Sequence, residues 1–481
     1  MHDLDQIWRF ENSYLKLPSS FFSEILPSST SNPSLLLYNK VLSDSLGLKS
    51  LHNNENYLTD VFSGNYIPKL AKPLAQAYGG HQFGYFNVLG DGRAILLGEV
   101  KGVDEKKYDV QLKGSGKTPY SRRGDGRATL YSMLREYLIS EAMHGLGIPT
   151  TRSLAVVKSE DLVYREKVHE MGVLTRVASS HIRVGTFELA ARMGDSDCIQ
   201  QLFDYTVERH YPELNDVENS VVAFLENVID RQINLVNDWM RVGFIHGVMN
   251  SDNMSISGET IDYGPCAFMN GFNPNTVFSS IDENGRYAYA NQPKMAKWNL
   301  MRLAETLLSL IDKDTEKSVK KVQPLFDNFE EKFNEVWKNN HLAKIGIKKE
   351  QDGDEELLNE LMDWMEKEKP DFTNTFRGLV NSYLHKDDVF QLEEFQIWKS
   401  KWKKRVASID GYEECLIRAN PSVIPRNHLV EEALNNGSEG GDLKDFYAIL
   451  EKLQKPYDSY KSDKFQNPPL SDLGYKTFCG T

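Results

Sequence analysis

The spacing of hydrophobic residues changes along the chain. Between Tyr78 and about residue 180, short apolar runs alternate with turns rich in glycine, aspartate and proline, a pattern typical of strands. The spacing predicts strands over 81–89, 93–100, 108–112, 154–157, 162–164 and 173–177. The first two flank a tight turn, Gly90-Asp91-Gly92. We therefore expect the first half of the chain to form a sheet.

Apolar residues in the second half recur at steps of three and four, as they do on one face of a helix. The same spacing predicts a first helix at 128–146, and the chain is mainly helical from about Phe187. Further helices are predicted at 217–242, 293–312, 357–368 and 390–406. A sheet-rich half followed by a helical half predicts an α+β fold with two lobes.

Local composition divides the chain into four parts. Residues 1–65 are rich in Ser, Asn and Pro and predict an extension that wraps around the rest. We expect a sheet lobe at 66–180, a helical lobe at 181–315, and a helical C-terminal extension with a short tail at 316–481.

Composition and charge exclude several classes of protein. The net charge of −13 over 481 residues argues against a nucleic-acid binder. No apolar run reaches the roughly 18 residues of a membrane helix, and the acidic N-terminus is unlike a signal or transit peptide. Four scattered cysteines favour a reducing compartment, so we expect a cytoplasmic protein. They are Cys198, Cys266, Cys415 and Cys479.

The stretch from Phe244 to Asp262 carries the clearest candidate chemistry. Asp252 and Asn253 lie in a polar turn between apolar runs, and Asp262 opens the sequence Asp-Tyr-Gly nine residues after Asn253. Such oxygen donors can hold Mg²⁺, whose remaining ligands are waters and substrate phosphates. The pattern is how kinase-like folds bind a metal–nucleotide complex.

One position departs from the protein-kinase pattern H-R-D-x-x-x-x-N. His246 and Asn253 have the required spacing, but Val248 occupies the place of the catalytic aspartate and cannot accept a proton. We expect His246 to order the loop rather than to carry a proton.

A strand lysine and a helix glutamate complete this pattern. Lys113 ends a predicted strand and Glu136 lies on the next helix, as in the pair that holds kinase nucleotide phosphates. The alternative is a surface lysine and an unrelated glutamate. A P-loop at 113–118 is excluded, because Gln111 stands where that motif needs glycine.

Glycine and arginine concentrate around these residues. The turn at Gly90-Asp91-Gly92-Arg93 could bring backbone amides to a phosphate, or it could simply close a hairpin. Residues 101–127 hold eight Lys or Arg against four Asp or Glu, which indicates either a phosphate cradle or a solvated basic loop. Arg176 and Arg183 could add further contacts to a polyphosphate.

Long stretches of the chain resemble the selenoprotein O family. They are AQAYGGHQFG (75–84), LGDGRA (89–94), QLKGSGKTPYSRRGDGRA (111–128), REYLISEAM (135–143), LTRVASSHIRVGTFE (174–188), HGVMNSDNMSI (246–256), IDYGP (261–265) and IPRNHLVEEA (424–433). The resemblance implies a pseudokinase with a kinase-like fold that binds ATP in a flipped orientation. It also implies transfer of AMP to Ser, Thr or Tyr hydroxyls of proteins with Mg²⁺ or Mn²⁺.

The resemblance also implies roles for individual residues. Asp252 would accept the proton, and Asn253 and Asp262 would bind the metal. Glu136 would hold Lys113, and Asp262 would also face the nucleotide. The remaining nucleotide contacts would be Gly90, Gly92, Arg93, Lys113, Asp125, Gly126, Arg176 and Arg183.

Two other functions stay open on the sequence alone. An ordinary phosphotransferase could use Asp252 as its base, and Val248 is compatible with a non-catalytic nucleotide-binding scaffold. Some members of the family carry selenocysteine near the C-terminus, where this chain has Cys479. A disulfide between Cys479 and Cys266 would give redox control.

Overall fold

A computed structural model describes residues 2–194, 196–460, 463–471 and 474–478. Its largest feature is an antiparallel sheet with the strand order β1-β3-β6-β7-β10-β9-β2, in which β8 pairs with β10. The strands are β1 (Phe22–Glu24), β2 (Ser34–Tyr38), β3 (Leu74–Gln76), β4 (Gly79–Gln82), β5 (Tyr85–Val88), β6 (Ala94–Lys101), β7 (Lys107–Lys113), β8 (Ala128–Thr129), β9 (Arg152–Tyr164), β10 (Val168–Ala178), β11 (Phe244–Ile245) and β12 (Ala267–Phe268).

Beyond Ala178 the described residues are mainly helical, with β11 and β12 as their two short strands. The helices are α1 (His2–Trp8), α2 (Lys40–Ser45), α3 (Glu55–Ser63), α4 (Leu130–Gly145), α5 (Val184–Arg192), α6 (Ser196–His210), α7 (Ser220–Arg241), α8 (Gln292–Ile311), α9 (Thr315–Asp327), α10 (Phe329–Lys344), α11 (Asp354–Glu368), α12 (Phe372–Arg377), α13 (Glu393–Val406), α14 (Tyr412–Ala419), α15 (Asn427–Glu439) and α16 (Lys444–Leu453). The fold is therefore mixed α/β, with a sheet lobe and many helices.

Alternation along the central strands gives the sheet two buried faces. Ala155 and Val157 belong to the hydrophobic cluster that includes Trp8 and Phe62, whereas Val156 between them belongs to the cluster that includes α4. The N-terminal segment also adds β1 and β2 to the two ends of the sheet. Strands from this segment therefore form both edges of the sheet.

The register of the central strands brings three polar side chains together. Gln111 on β7 pairs directly with Arg176 on β10, and Lys113 pairs with both Ala94 and Leu174. Because side chains alternate along a strand, Gln111 and Lys113 lie on the same face, close to Arg176. Three polar side chains therefore meet at one end of the sheet.

The predicted helices are confirmed, with small shifts at their ends. The helix predicted at 128–146 begins at Leu130, because Ala128 and Thr129 pair with β10 and the Thr129 side chain accepts a hydrogen bond from Ser132 N. Such an N-cap satisfies a backbone amide at the start of a helix. No helix in the described ranges is long and apolar enough to cross a membrane.

Two strand predictions were wrong. Residues 81–89 do not form a single strand, because Gly84 adopts φ +93° and turns the chain into the β4–β5 hairpin, a separate two-stranded sheet. Segments 154–157 and 162–164 belong to one long strand, β9. The turn at Gly90 follows β5 but does not close a hairpin, since β6 pairs with β3 and β7.

Candidate functional site

A cavity of about 590 Å³ lies between the end of the sheet and the loops that follow α7. Every residue that the sequence assigned to the site lines it, namely Gly90, Gly92, Arg93, Lys113, Asp125, Gly126, Glu136, Arg176, Arg183, Asp252, Asn253 and Asp262. The fold thus brings together residues that are far apart in the sequence.

Lys113 and Glu136 form a buried ion pair. Lys113 Nζ lies 2.6 Å from Glu136 Oε2 and 2.7 Å from Asp262 Oδ1. The Lys113 side chain is only 7% exposed, so the alternative of a surface lysine is wrong. Removing one partner of such a buried pair typically costs about 3–5 kcal/mol.

Two arginines converge on the same aspartate. Arg176 on β10 lies 2.6 Å from Asp262 Oδ1, and its guanidinium also donates to Gln111 Oε1 at 2.7 Å. Arg183, just before α5, lies 3.1 Å from Asp262 Oδ2 and donates to the Asp252 carbonyl at 2.9 Å. Three cationic side chains, including Lys113, therefore surround one carboxylate.

The environment of Asp262 keeps it ionised. Burial alone would raise the pKa of Asp262, but Lys113, Arg176 and Arg183 outweigh this effect and hold the pKa well below its ordinary value. The backbone of Asp262 has φ +64°, a left-handed conformation that is uncommon outside glycine and often marks a functional position.

Asp252 has the opposite environment. It lies in a short 3₁₀ turn, Ser251–Asn253, and its Oδ1 has no hydrogen-bond partner within the described residues. Burial raises the pKa of Asp252 to about 6, although Arg183 opposes this rise. A carboxylate of this kind is suited to accepting a proton near neutral pH.

The β4–β5 hairpin covers the turn that carries Asp252. His81 N donates to Ser251 Oγ at 2.7 Å, and both Ser251 Oγ and His81 Nδ1 contact the buried Glu188 carboxylate. A Cβ at Gly80 would lie 2.7 Å from Asp252 Oδ1, so only glycine allows this approach. The sequence reasoning missed this hairpin because it predicted a single strand there.

The remaining residues of the turn play supporting roles. His246 is buried and its Nε2 lies 2.9 Å from the Ile261 carbonyl, while burial lowers its pKa. This position agrees with the predicted loop-ordering role. Asn253 Nδ2 donates to the Val248 carbonyl at 3.0 Å, which uses the nitrogen of the carboxamide and leaves its oxygen for another contact.

Two glycines keep the loops above the cavity close together. Gly90 lies against the Tyr120 ring, which a side chain there would overlap. Gly126 has φ +71° and lies against the backbone of Gly116, so a larger residue would be both strained and overlapping. The loops from 90–93 and 124–127 thus form one wall of the cavity.

Several lining residues were not foreseen. Asp125 is held by Arg165, whose two terminal nitrogens each lie 3.0 Å from its carboxylate; these bonds lower the pKa of Asp125. Tyr78 lies under the Arg183 guanidinium, with 4.3 Å between the guanidinium carbon and the ring centroid. Gln111 does not line the cavity but accepts a hydrogen bond from Arg176. Its contribution could have been predicted, because it lies two positions before Lys113 on the same face of β7.

The donor atoms fit a hard divalent cation. Asn253 and Asp262 carry oxygen atoms of the kind that such a cation prefers, and no group of three or more His, Cys, Asp or Glu side chains in the described ranges could hold a metal ion by itself. A cation here would therefore need further oxygens from a bound molecule, which is the usual arrangement for metal–phosphate sites.

Cys266 follows the Asp-Tyr-Gly-Pro segment and is fully buried. Burial raises the pKa of its thiol to about 11, so the reactive thiolate is scarce at neutral pH. Cys479, the other half of the predicted disulfide, lies outside the described residues. The disulfide stays a prediction.

Comparison with known proteins identifies the family of the chain. The sequence model of a family described as "Protein adenylyltransferase SelO" matches residues 6–454. A relative from Geobacillus kaustophilus, named "Protein nucleotidyltransferase YdiU", is 50% identical over 485 residues, covering 99% of this chain and 100% of the relative. Two further relatives have the same name. The one from Nitrosococcus oceani is 48% identical, over 98% of this chain and 97% of the relative. The one from Clostridium perfringens is 50% identical, over 98% of each chain. The chain is therefore a member of the SelO family, a family of enzymes.

Proposed function

We propose that this protein transfers AMP from ATP to Ser, Thr or Tyr hydroxyls of other proteins and releases pyrophosphate. The observation that carries the proposal is the convergence of Lys113, Arg176 and Arg183 on Asp262, inside the cavity that also contains Asn253 and Asp252. The family description and the names of the relatives support a nucleotidyl transfer with protein targets.

We infer a kinase-like arrangement of two lobes around this cavity. The strand lysine, the helix glutamate and the Asp-Tyr-Gly turn have the order and contacts that kinases use for nucleotides. In this proposal 1–65 wraps the sheet lobe at 66–180, the helical lobe at 181–315 carries the catalytic turn, and 316–481 forms the C-terminal extension. The cytoplasmic location and the lack of nucleic-acid or membrane partners stay predictions.

We further propose that the nucleotide binds in a flipped orientation, with its β- and γ-phosphates against a group of positive charges. Lys113, Arg176 and Arg183 lie buried at the inner end of the sheet, and Arg93 lies in the loop above them. Guanidinium groups match phosphate oxygens with paired hydrogen bonds. If these groups hold the β- and γ-phosphates, the α-phosphorus is left near Asn253, Asp262 and the incoming hydroxyl.

The chain would carry out the transfer mainly by positioning and by neutralising charge. Asn253 and Asp262 would hold Mg²⁺ or Mn²⁺, which would neutralise charge on the phosphates. The acceptor oxygen attacks the α-phosphorus, and the bond to the oxygen bridging the α- and β-phosphorus breaks. Pyrophosphate leaves, and the hydroxyl proton passes to Asp252, which replaces the aspartate absent at Val248.

Parallel reactions with α-³²P-ATP and γ-³²P-ATP test this proposal. AMP transfer labels the protein from the α position only, whereas a phosphotransferase labels it from the γ position only. Val248 favours one further candidate, a nucleotide-binding scaffold, which would give no label from either position. Either of these two results would overturn the proposal.

A further inference from the structure

We infer that Arg135 and Glu431 position the Asp-Tyr-Gly segment for catalysis. The C-terminal extension, which carries Glu431, therefore contributes to the geometry of the site. The inference rests on the proposed function. Arg135 follows the start of α4 and immediately precedes Glu136. Its side chain donates hydrogen bonds to Gly264, Cys266 and Glu431, and the residue is only 6% exposed.

Arg135 holds the backbone on both sides of Pro265. Its Nε donates to the Gly264 carbonyl at 3.2 Å, and its Nη2 donates to the Cys266 carbonyl at 2.6 Å. These carbonyls lie two and four residues after Asp262. Because a guanidinium is planar and rigid, two such bonds fix the position of the segment.

Glu431 on α15 fixes Arg135 in turn. Arg135 Nη1 lies 3.0 Å from Glu431 Oε1, the Tyr475 hydroxyl donates to the same oxygen at 2.8 Å, and the Tyr131 hydroxyl contacts Oε2. Three donors on a carboxylate that is 30% exposed define its position closely.

A second contact ties α15 to the same segment. Phe268 N donates to Asn427 Oδ1 at 3.1 Å, and Asn427 Nδ2 donates back to the Phe268 carbonyl at 2.8 Å. The segment from Gly264 to Phe268 is therefore held at both ends by α15, once through Arg135 and once directly. Groups that orient metal ligands in this indirect way typically change metal affinity or activity by about 10–100-fold when they are lost.

The substitution Glu431→Gln tests the inference, because it keeps the size of the side chain but removes its charge. Glu432→Gln is the matched control, since Glu432 is the next residue on α15 and is exposed. Hydrogen exchange over residues 263–272 is measured on the protein without metal or nucleotide. Binding of Mn²⁺ in the presence of a non-hydrolysable ATP analogue is measured by electron paramagnetic resonance.

We expect Glu431→Gln to speed exchange over 263–272 and to weaken Mn²⁺ binding about tenfold, with a melting temperature close to that of the control. Unchanged exchange and unchanged Mn²⁺ binding would overturn the inference. If Glu431→Gln does not fold, Arg135→Lys is used with the same expectation, because lysine keeps the charge but cannot reach all three acceptors. Neither readout depends on which phosphoryl group is transferred, so a failure here is separate from a failure of the proposed function.

Discussion

Asp252 and Asp262 line the same cavity, yet the contacts of their carboxylates differ. The Asp262 carboxylate contacts Lys113, Arg176 and Arg183, and its pKa is held well below the ordinary value. The Asp252 carboxylate lies beneath Gly80, and one of its oxygens has no hydrogen-bond partner among the described residues. The same side chain is therefore stabilised as an anion at one position and destabilised as an anion at the other.

This difference separates two chemical roles. A carboxylate that stays charged can hold a metal ion, whereas a buried carboxylate with a raised pKa can take up a proton. In our proposal, Asp262 holds the metal ion and Asp252 accepts the proton. Asp252 thus replaces the catalytic aspartate of the kinase pattern, whose position Val248 occupies. The predictions below test this division of roles.

Removing the charge of Asp262 should have the largest effect. We expect Asp262→Asn to reduce AMP transfer by at least about 10²–10³-fold, the loss seen when a group that stabilises the transition state is removed. The change also leaves Arg176 and Arg183 with less compensating charge, so the melting temperature should fall. Rates of transfer at saturating ATP and thermal unfolding measure the two effects. Near-normal transfer would contradict the role of Asp262.

Asp252→Asn should slow the reaction without weakening nucleotide binding. We expect about a hundredfold fall in kcat, within the range for loss of a general base, with little change in the affinity for ATP. Single-turnover transfer and equilibrium binding of an ATP analogue separate the two quantities. An unchanged kcat would show that another group accepts the proton.

Gly80→Ala should displace the Asp252 carboxylate, which the added methyl group would overlap. The added Cβ would lie 2.7 Å from Asp252 Oδ1, so the hairpin or the turn must shift, and we expect kcat to fall about tenfold. Val88→Ala is the control, because Val88 lies on β5 of the same hairpin and its side chain is 64% exposed. Equal effects of the two changes on kcat would point to the hairpin as a whole rather than to Asp252.

The raised pKa of Asp252 should also appear in the stability of the protein. Folded Asp252 binds its proton below about pH 6, whereas the unfolded group binds it only below its ordinary value of 3.8. The contribution of Asp252 to the free energy of unfolding therefore decreases between these pH values as pH rises, by at most about 3 kcal/mol. Asp252→Asn removes this loss.

Urea unfolding of the metal-free protein from pH 4 to pH 7 measures the difference. The stability of Asp252→Asn relative to wild type should increase up to about pH 6 and then level off. The exposed Asp410→Asn serves as the control and should show no such trend. A constant difference for Asp252→Asn would contradict the raised pKa.

Residues that belong to short sequence patterns could be assigned to the candidate site from the sequence alone. Lys113, Glu136, Asn253 and Asp262 belong to short patterns with fixed intervals, and the structure places all four around the cavity. The partners of these residues were harder to predict, because they depend on topology. Arg135 and Glu431 are 296 positions apart, and no local pattern links α4 to α15.

The hairpin over Asp252 shows a different limit. Residues 81–89 have the alternation of a strand, but the positive φ of Gly84 divides them, and Gly80 lies against the turn at Ser251–Asn253. A sequence pattern predicts that a glycine can turn the chain, not that it does so. The Asp125–Arg165 pair was missed for a related reason, since it depends on where the β9–β10 turn lies.

The most direct test of the central claim is the stoichiometry of the products. Purified enzyme is incubated with ATP, a divalent cation and a protein acceptor, and pyrophosphate, ADP and nucleotide bound to protein are measured in the same sample. We predict one pyrophosphate released for each AMP attached to a hydroxyl, with both products lost together in Asp262→Asn. Formation of ADP together with a phosphorylated protein would contradict the account.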